Sequence, residues 1–331
     1  MSLIEVEEIL TDEQYLKPIF NYFAFIRHFH CANFFESVQQ WYKKYKDSTL
    51  KTYLSVLEIL FTYFAKYSPR LVSLDLSIVF MYDNKFNKLK EFILLNVKVS
   101  NWISQIKELN VGPDLIEDVK FFQIFDFCTN VRKNNLEHLC FYHSDITKII
   151  NETLMKHKNS LRHLEFDNVN FKDEFFAASF YNLITLSFCV SNNLENVLNS
   201  LIMTPLKSLN TLIFNQISVP FEVLSVLIES NSKNLEVIHT GNLRDGCDLI
   251  LEKISEHCIN LKVLSTTMSS IFQTEIYLLN NLFKNCIQLK RLELLDENGI
   301  VIDVDSILTL IVISPTTELK LTAKKLITFF I

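Results

Sequence analysis

The chain has 331 residues, 49% of them hydrophobic and 21% charged, so it can form a large core and does not have a disordered composition. Its formal net charge of −6 argues against nucleic acid as a partner, and the short basic run Lys43-Lys44-Tyr45-Lys46 is interpreted as a solvated helix end because acidic residues surround it. Only four residues are glycine, which argues against phosphate-binding loops and tight hairpins, because both need glycine for positive φ.

The first 67 residues are predicted to form several amphipathic helices. Their apolar residues recur at helical spacing, as in Leu54, Leu57, Phe61 and Phe64. They lack the repeat that follows, which occupies residues 68–331. We therefore expect residues 1–67 to be a helical cap for the N-terminal end of a repeat array, since the terminal units of such arrays need a polar outer face.

One tight cluster of metal-ligand residue types lies in this segment, as His28-Phe29-His30-Cys31. The surrounding apolar residues predict a packed helix, in which positions i and i+2 point apart. No second ligand pair with zinc spacing follows. No metal site is expected here or elsewhere in the chain.

From residue 71 onward the template Leu-x-x-Leu-x-(Leu/Phe) recurs. Its anchors are Leu71/Leu74/Leu76, Leu89/Phe92/Leu94, Leu136/Leu139/Phe141, Leu161/Leu164/Phe166, Leu183/Leu186/Phe188, Leu209/Leu212/Phe214, Leu235/Ile238/Thr240, Leu261/Leu264/Thr266 and Leu289/Leu292/Leu294. From Leu136 the first anchors follow one another at 25, 22, 26, 26, 26 and 28 residues. Chance leucines would not keep this spacing, so the chain is predicted to consist of stacked repeats.

The interval from Leu89 to Leu136 is 47 residues, which is room for two repeats. No template can be placed between them, and residues 114–127 predict a longer helix. A hidden irregular repeat in this interval remains open.

Each repeat is predicted to contain one strand and one helix. Residues two apart in a strand point to the same side, so the template's second and third anchors face one core. Between strands, Leu194, Val197, Leu198 and Leu201 have the i, i+3, i+4, i+7 spacing of a helix. Helix starts are predicted at Ser144-Asp145 and Pro220.

Stacked units of this kind predict an α/β leucine-rich-repeat solenoid, or horseshoe. Its parallel strands line the concave face and its helices the convex face.

The repeat resembles the cysteine-containing leucine-rich repeats of fungal F-box/leucine-rich-repeat proteins. The resemblance rests on the spacing, on the strand template and on Cys-x-x-Leu at Cys258–Leu261 and Cys286–Leu289. It implies a substrate receptor of a cullin-based ubiquitin ligase, with a cullin-linked adaptor as partner if residues 1–67 contain a working F-box. Leu16-Lys17-Pro18 and Trp41 match an F-box only faintly, and its Leu-Pro pair is absent. The F-box is thus either highly divergent or absent.

The turn after each strand departs from the usual leucine-rich pattern. An asparagine normally stands three residues after the last strand leucine. This chain instead has Val79, Ser144, Val169, Ser191 and Ile217. We therefore expect no asparagine ladder at these turns.

The seven cysteines are widely spaced, without Cys-x-x-Cys, which favours reduced buried thiols over a disulfide framework. The acidic N-terminus does not resemble a secretory signal, and no stretch of 18 uncharged apolar residues occurs. The expected location is the cytoplasm or the nucleus, without membrane contact. No nucleotide or protease motif is present, so neither a cofactor nor a catalytic residue is predicted.

The expected binding surface is the concave face, because the residues between the strand anchors point there. Its middle repeats combine an aromatic with titratable and hydrogen-bonding groups: His138, Tyr142, His163, Glu165, Asp167, Thr185, Thr211 and Asn215. We predict that these residues bind a protein whose identity the sequence does not reveal, either for a ubiquitin ligase or for a stand-alone adaptor. A hydrolase using Glu165 and Asp167 is the other alternative, and it would need a deep cleft.

Overall fold

A computed structural model describes residues 26–43, 50–68, 71–76, 102–103, 105–112, 136–173, 179–217, 219–241, 247–267 and 272–295. The chain divides into two compact units, Met1–Leu161 and Arg162–Ile331, which we call unit 1 and unit 2. The anchors Leu89, Phe92 and Leu94, the predicted helix over 114–127 and the F-box-like Leu16-Lys17-Pro18 lie outside the described residues.

Unit 1 contains five strands and three helices among its described residues. In chain order they are β1 (His28–His30), α1 (Cys31–Lys43), α2 (Leu50–Tyr67), β2 (Ser73–Leu76), β3 (Glu108–Val111), β4 (His138–Tyr142), β5 (Asp145–Ile146) and α3 (Lys148–Met155). Strands β1 to β4 pair in that order, and every pair is parallel. A parallel pair needs a crossover between its strands, so each intervening segment must return to the same end of the sheet.

Strand β1 is held to helices α1 and α2 by aromatic packing around Phe29. Its ring centroid lies 5.2 Å from Phe34, 5.7 Å from Phe61, 4.9 Å from Phe64 and 6.0 Å from Trp102. Such tilted and edge-on contacts are favourable in addition to the apolar area that they bury. The indole N–H of Trp102 donates to the Ser68 carbonyl at 2.6 Å, so this buried polar group is also satisfied.

The helix predicted at His28–Cys31 is wrong, because residues 28–30 form strand β1. Phe29 lies opposite Leu74 in the parallel register, and both side chains are buried. Ile26, Phe29 and Cys31 thus occupy the three anchor positions of the repeat template with other apolar residues. The tertiary packing of Phe29 overrides the local helical pattern.

The hidden repeat between Leu89 and Leu136 is confirmed by strand β3. Its anchors Ile106, Leu109 and Val111 follow the same spacing, and at most 1% of each side chain is exposed. Leu109 pairs with Leu74 on β2 and with Leu139 on β4. Isoleucine and valine therefore replace leucine here without a change of register.

The predicted helix start at Ser144-Asp145 is also wrong, because Asp145–Ile146 is strand β5 and helix α3 begins at Lys148. The Ser144 hydroxyl, which would have capped the helix, donates to the Tyr142 carbonyl at 2.7 Å. Serine commonly forms such local turn hydrogen bonds, so this residue type alone does not locate the helix start.

Unit 2 alternates strands and helices in a regular order. Its elements are β6 (His163–Asp167), β7 (Asn170–Phe171), β8 (Thr185–Cys189), α4 (Glu195–Met203), β9 (Thr211–Asn215), α5 (Phe221–Asn231), a 3₁₀ turn (Ser232–Asn234), β10 (Val237–Gly241), α6 (Cys247–His257), β11 (Val263–Thr267), α7 (Phe272–Asn285) and β12 (Arg291–Leu295). Strands β6, β8, β9, β10, β11 and β12 are parallel neighbours in that order.

The register of unit 2 places equivalent residues of successive repeats side by side. Leu164, Leu186, Leu212, Ile238, Leu264 and Leu292 form one buried row across the strands. The rings of Phe166, Phe188 and Phe214 form the next row and stack at 5.5 and 5.9 Å. The leucine positions predicted as core anchors are therefore confirmed in all six strands.

The helices of unit 2 complete the same core. Val197, Leu198 and Leu201 of α4 are at most 1% exposed, as their spacing predicts, and α5 begins at Phe221 directly after Pro220. The fold is thus an α/β leucine-rich-repeat solenoid. Its repeats bury one side of each strand, and most described strand residues on the opposite side are partly exposed.

The residue directly after a strand has a left-handed backbone in four repeats. These residues are His143, Asn168, Val190 and Gln216, with φ between 49° and 54°. The backbone N–H groups of the last three donate to the final carbonyls of the next strand, at 2.8, 2.8 and 3.3 Å. The turn therefore keeps hydrogen bonding between repeats after the strand has ended.

Serine replaces the missing asparagine in two of these turns, as Ser144 and Ser191. The buried Ser191 hydroxyl lies 3.3 Å from the Phe166 carbonyl and 3.0 Å from the Cys189 carbonyl, and accepts from the Val169 N–H at 3.4 Å. It thus connects two repeats at the position where leucine-rich repeats usually have an asparagine.

Candidate functional site

The open face of each unit is the sheet face opposite the buried anchors. In unit 2 it carries the first, third and fifth residues of each five-residue strand, and the parallel register aligns them in three rows. The rows over β6, β8 and β9 are His163–Thr185–Thr211, Glu165–Ser187–Ile213 and Asp167–Cys189–Asn215. Neighbouring strands lie about 4.8 Å apart, so these side chains form one continuous patch.

Six of the eight predicted binding residues lie in this patch. They are His163, Glu165, Asp167, Thr185, Thr211 and Asn215, and all six are partly exposed. The patch has internal order, since His163 Nδ1 lies 3.0 Å from Thr185 Oγ1. The other two, His138 and Tyr142, are the first and last residues of β4 in unit 1 and are also partly exposed.

The open face of unit 1 carries three polar residues that sequence reasoning missed, His28, His30 and Glu108, beside Asp75, which was expected there. His30 Nδ1 lies 3.0 Å from Asp75 Oδ2, and His28 Nδ1 lies 3.9 Å from Glu108 Oε2. The two histidines share a face because alternate residues of a strand point the same way, contrary to the helical interpretation. The spacing Ile26-x-x-Phe29-x-Cys31 is the signal that would have located them.

This histidine and carboxylate grouping does not amount to a metal centre. Within the described ranges, no three His, Cys, Asp or Glu side chains are arranged to hold an ion. The close pairs on β1, β2 and β3 are therefore ion pairs at the surface whenever the histidines are protonated.

The thiol of Cys189 lies in the last row of the unit 2 patch, between Asp167 and Asn215. Partial burial raises its pKa above the usual value, the Ser187 hydroxyl at 3.7 Å lowers it, and the charges of Asp167 and Glu165 raise it further. A thiol with a raised pKa is a poor nucleophile at neutral pH. Cys189 therefore contributes polarity and shape to the patch.

Cys258 and Cys286, the cysteines of the Cys-x-x-Leu motif, lie in the core as expected. They are at most 2% exposed, and Cys286 Sγ lies 3.3 Å from the Cys258 carbonyl. Burial raises the pKa of Cys258 to about 12 and that of Cys286 to about 11. Both positions serve packing between repeats.

Gly241 ends strand β10 on the open face, with no positive φ to require glycine. A Cβ built there would lie 3.3 Å from Asn215 Oδ1 and 3.8 Å from Leu295 Cδ1. Glycine in a strand often marks the close approach of neighbouring atoms, and here these atoms are side chains of the same face.

In the part of the chain that the structure describes, no helix is both long enough and apolar enough to cross a membrane.

Comparison with known proteins gives only distant likenesses. No protein-family model matches the chain, and no curated protein matches it. Among solved structures, a leucine-rich-repeat protein, LegL7 of Legionella pneumophila, is 12% identical with a TM-score of 0.47, and the match covers 86% of each chain. An internalin (inlF) of Listeria monocytogenes is 14% identical with a TM-score of 0.38, over 76% of this chain and 66% of its own. These values are too low to bear on function.

Proposed function

We propose that the chain is a non-catalytic scaffold that binds a protein partner on the open face of its sheet. The observation that carries the proposal is the patch on β6, β8 and β9, where side chains are aligned in register and all but Ser187 are partly exposed. None of the six predicted residues there is an anchor of the core. Their side chains therefore lie on the face of the parallel sheet that is opposite the core.

The chemistry of the patch defines the kind of partner. Glu165 and Asp167 present two carboxylates on one strand, opposite Ser187 and Cys189, and the row that begins with His163 adds the hydroxyls of Thr185 and Thr211. A complementary surface would offer lysine, arginine or amide donors. Tyr142 on β4 of unit 1 is proposed as an aromatic contact, because tyrosine is enriched among the residues that dominate binding energy.

The experiment compares partners of the full chain with those of two double variants by proximity labelling in the native cell. Glu165→Ala with Asp167→Ala should abolish labelling of the specific partner. Glu195→Ala with Glu222→Ala is the matched control, because it changes the charge equally at exposed helix positions of the same unit. If both variants label the same proteins as the wild type, the open face is not the binding surface.

Binding should also depend on pH if His163 takes part. An unperturbed histidine titrates at about 6.5, and its positive form would repel the basic partner that the carboxylates attract. Affinity is therefore expected to fall as the pH decreases and His163 takes up a proton. The variant His163→Gln should bind without that dependence.

The finer proposal is that the partner is a substrate of a cullin-based ubiquitin ligase, with residues 1–67 as a divergent F-box that binds the cullin-linked adaptor. Its support is the resemblance of the Cys-x-x-Leu repeats to F-box/leucine-rich-repeat proteins. Co-purification with the adaptor tests it. Full-length chain that is folded and yet recovers no adaptor would leave the stand-alone adaptor as the function, with residues 1–67 as a cap.

A further inference from the structure

A second surface lies at the edge where strands β9 to β12 begin. We call it the basic rim and define it as residues 207–211, 233–237, 259–263 and 287–291. It contains five basic side chains, Lys207, Lys233, Lys262, Lys290 and Arg291, and one acidic side chain, Glu236. The whole chain has more acidic than basic residues, 38 against 32, so the rim reverses the overall sign of charge.

The floor of the basic rim is a ladder of amide side chains. Asn234 Nδ2 donates to the Lys207 carbonyl at 2.5 Å, and Asn260 Nδ2 donates to the Lys233 carbonyl at 2.8 Å. Gln288 Nε2 donates to Asn260 Oδ1 at 3.3 Å. Each amide nitrogen carries two N–H groups, so a second donor remains at each position.

The charges of the basic rim are only partly neutralised within the protein. Glu236 pairs with Lys262 at 2.7 Å, and Arg291 pairs with Glu293. No described carboxylate lies within ion-pair distance of Lys207 or Lys233, and both lysines are exposed.

These ammonium and amide groups line one open cleft. The cleft is lined by Lys207, Ser208, Asn210, Lys233, Asn234, Glu236, Asn260 and Gln288. The Glu236 carboxylate in this lining is the one that pairs with Lys262. Amide donors beside uncompensated ammonium groups are suited to carboxylates, because charge-assisted hydrogen bonds are stronger than neutral ones. Repeats about 4.8 Å apart offer these donors at regular intervals along the rim.

We propose that the basic rim binds an acidic polypeptide segment, extended across the start of strands β9 to β12. Carboxylates of the segment would lie against Lys207 and Lys233, and its remaining oxygens would accept from Asn260 and Gln288. Few uncompensated cations are present, which favours a peptide over nucleic acid, since nucleic acid requires many phosphate contacts. The site is separate from the open face and does not depend on the function proposed there.

The test uses the full chain and a fluorescein-labelled peptide of twelve residues in which glutamate alternates with serine. Fluorescence anisotropy at low salt should show saturable binding that weakens with added NaCl. A peptide with glutamine in place of glutamate should bind at least about tenfold more weakly, which corresponds to about 1.4 kcal/mol.

Three double variants separate the rim from general charge effects. Lys207→Glu with Lys233→Glu should weaken binding more than about tenfold, and Lys207→Met with Lys233→Met should weaken it without reversing charge. Lys148→Glu with Lys156→Glu is the matched control, because both lysines are exposed at the ends of α3 and the net charge changes equally. This control should bind like the wild type. Thermal melting followed by circular dichroism verifies that each variant folds.

Several results would overturn the proposal. If the methionine variant bound the peptide unchanged but melted at a lower temperature, the lysines would stabilise the ends of the preceding helices and would not bind the peptide, because helix-terminal carbonyls favour nearby cations. Equal losses in the rim and control variants would mean nonspecific attraction. Tighter binding of a single-stranded oligonucleotide than of the acidic peptide would indicate nucleic acid, and full competition by inorganic phosphate would indicate a small-anion site.

Discussion

Val190 allows a decisive test of the left-handed turn that follows the strands. Its φ is 50°, and residues with a Cβ lose roughly 1–2 kcal/mol in that conformation. Valine is β-branched, which makes the position more exceptional still. The equivalent residues of other repeats are His143, Asn168 and Gln216, so the backbone geometry is imposed by the repeat and not by the side chain.

The perturbation compares glycine with alanine at Val190, so that the loss of the valine side chain is common to both variants. Glycine avoids the Cβ clash, worth about 1–2 kcal/mol, but loses more backbone entropy on folding, roughly 0.5–1 kcal/mol. Val190→Gly should therefore be about 1 kcal/mol more stable than Val190→Ala.

The matched control is Asn199, which is exposed in helix α4. There Asn199→Gly should be about 1 kcal/mol less stable than Asn199→Ala, because glycine is a poor helix former. Urea unfolding followed by circular dichroism measures all four variants under the same conditions. The reasoning is refuted if glycine is less stable than alanine at both positions, since Val190 would then have an ordinary backbone.

Three further predictions concern the core and its titration. Leu212→Ala should lower the free energy of unfolding by about 2–5 kcal/mol, whereas Ile213→Ala on the open face should lower it by less than about 1 kcal/mol. Similar losses for both variants in urea unfolding would mean that the strand register is shifted by one residue. Cys258 and Cys286 should not be alkylated by iodoacetamide at pH 8 until the chain is denatured, because their raised pKa values keep the thiols protonated. Mass spectrometry of native and denatured samples measures the alkylation. Burial lowers the pKa of His239 from 6.5, so the native state binds fewer protons and stability should fall as the pH decreases below that value. His239→Gln should reduce this slope in urea titrations at several pH values.

Leucine spacing predicted the regular strands because each buried anchor recurs at a fixed interval. It missed β1 and β3 because other apolar residues fill the same positions. Phe29 and Cys31 replace leucine in the first, and Ile106 and Val111 in the second. The core needs apolar volume in register, not leucine itself, so a template written for leucine was too narrow.

The open face of unit 2 could be predicted, since residues between buried anchors must point the other way. The amide ladder of Asn234, Asn260 and Gln288 could not be predicted. Asn234 donates to a carbonyl 27 residues earlier, and this contact depends on the register of two strands and on the orientation of the Lys207 peptide. Sequence spacing gives the register but not the orientation. The amides of the ladder occupy a different position in the repeat, directly before the first anchor.

The basic rim contains two consecutive positions of the repeat, and the two differ in how strongly folding restricts their residue type. The position before the first anchor is polar in five successive repeats, as Asn182, Ser208, Asn234, Asn260 and Gln288, and the last three of these hydrogen-bond to the previous repeat. The position one residue earlier holds Tyr181, Lys207, Lys233, Ile259 and Ile287, all of them exposed. Because this position holds an aromatic, a basic or an aliphatic residue in different repeats, the requirements of folding do not fix its residue type. Lys207 and Lys233, which occupy this position in neighbouring repeats, are therefore not required by the fold. The peptide experiment measures what they contribute to binding.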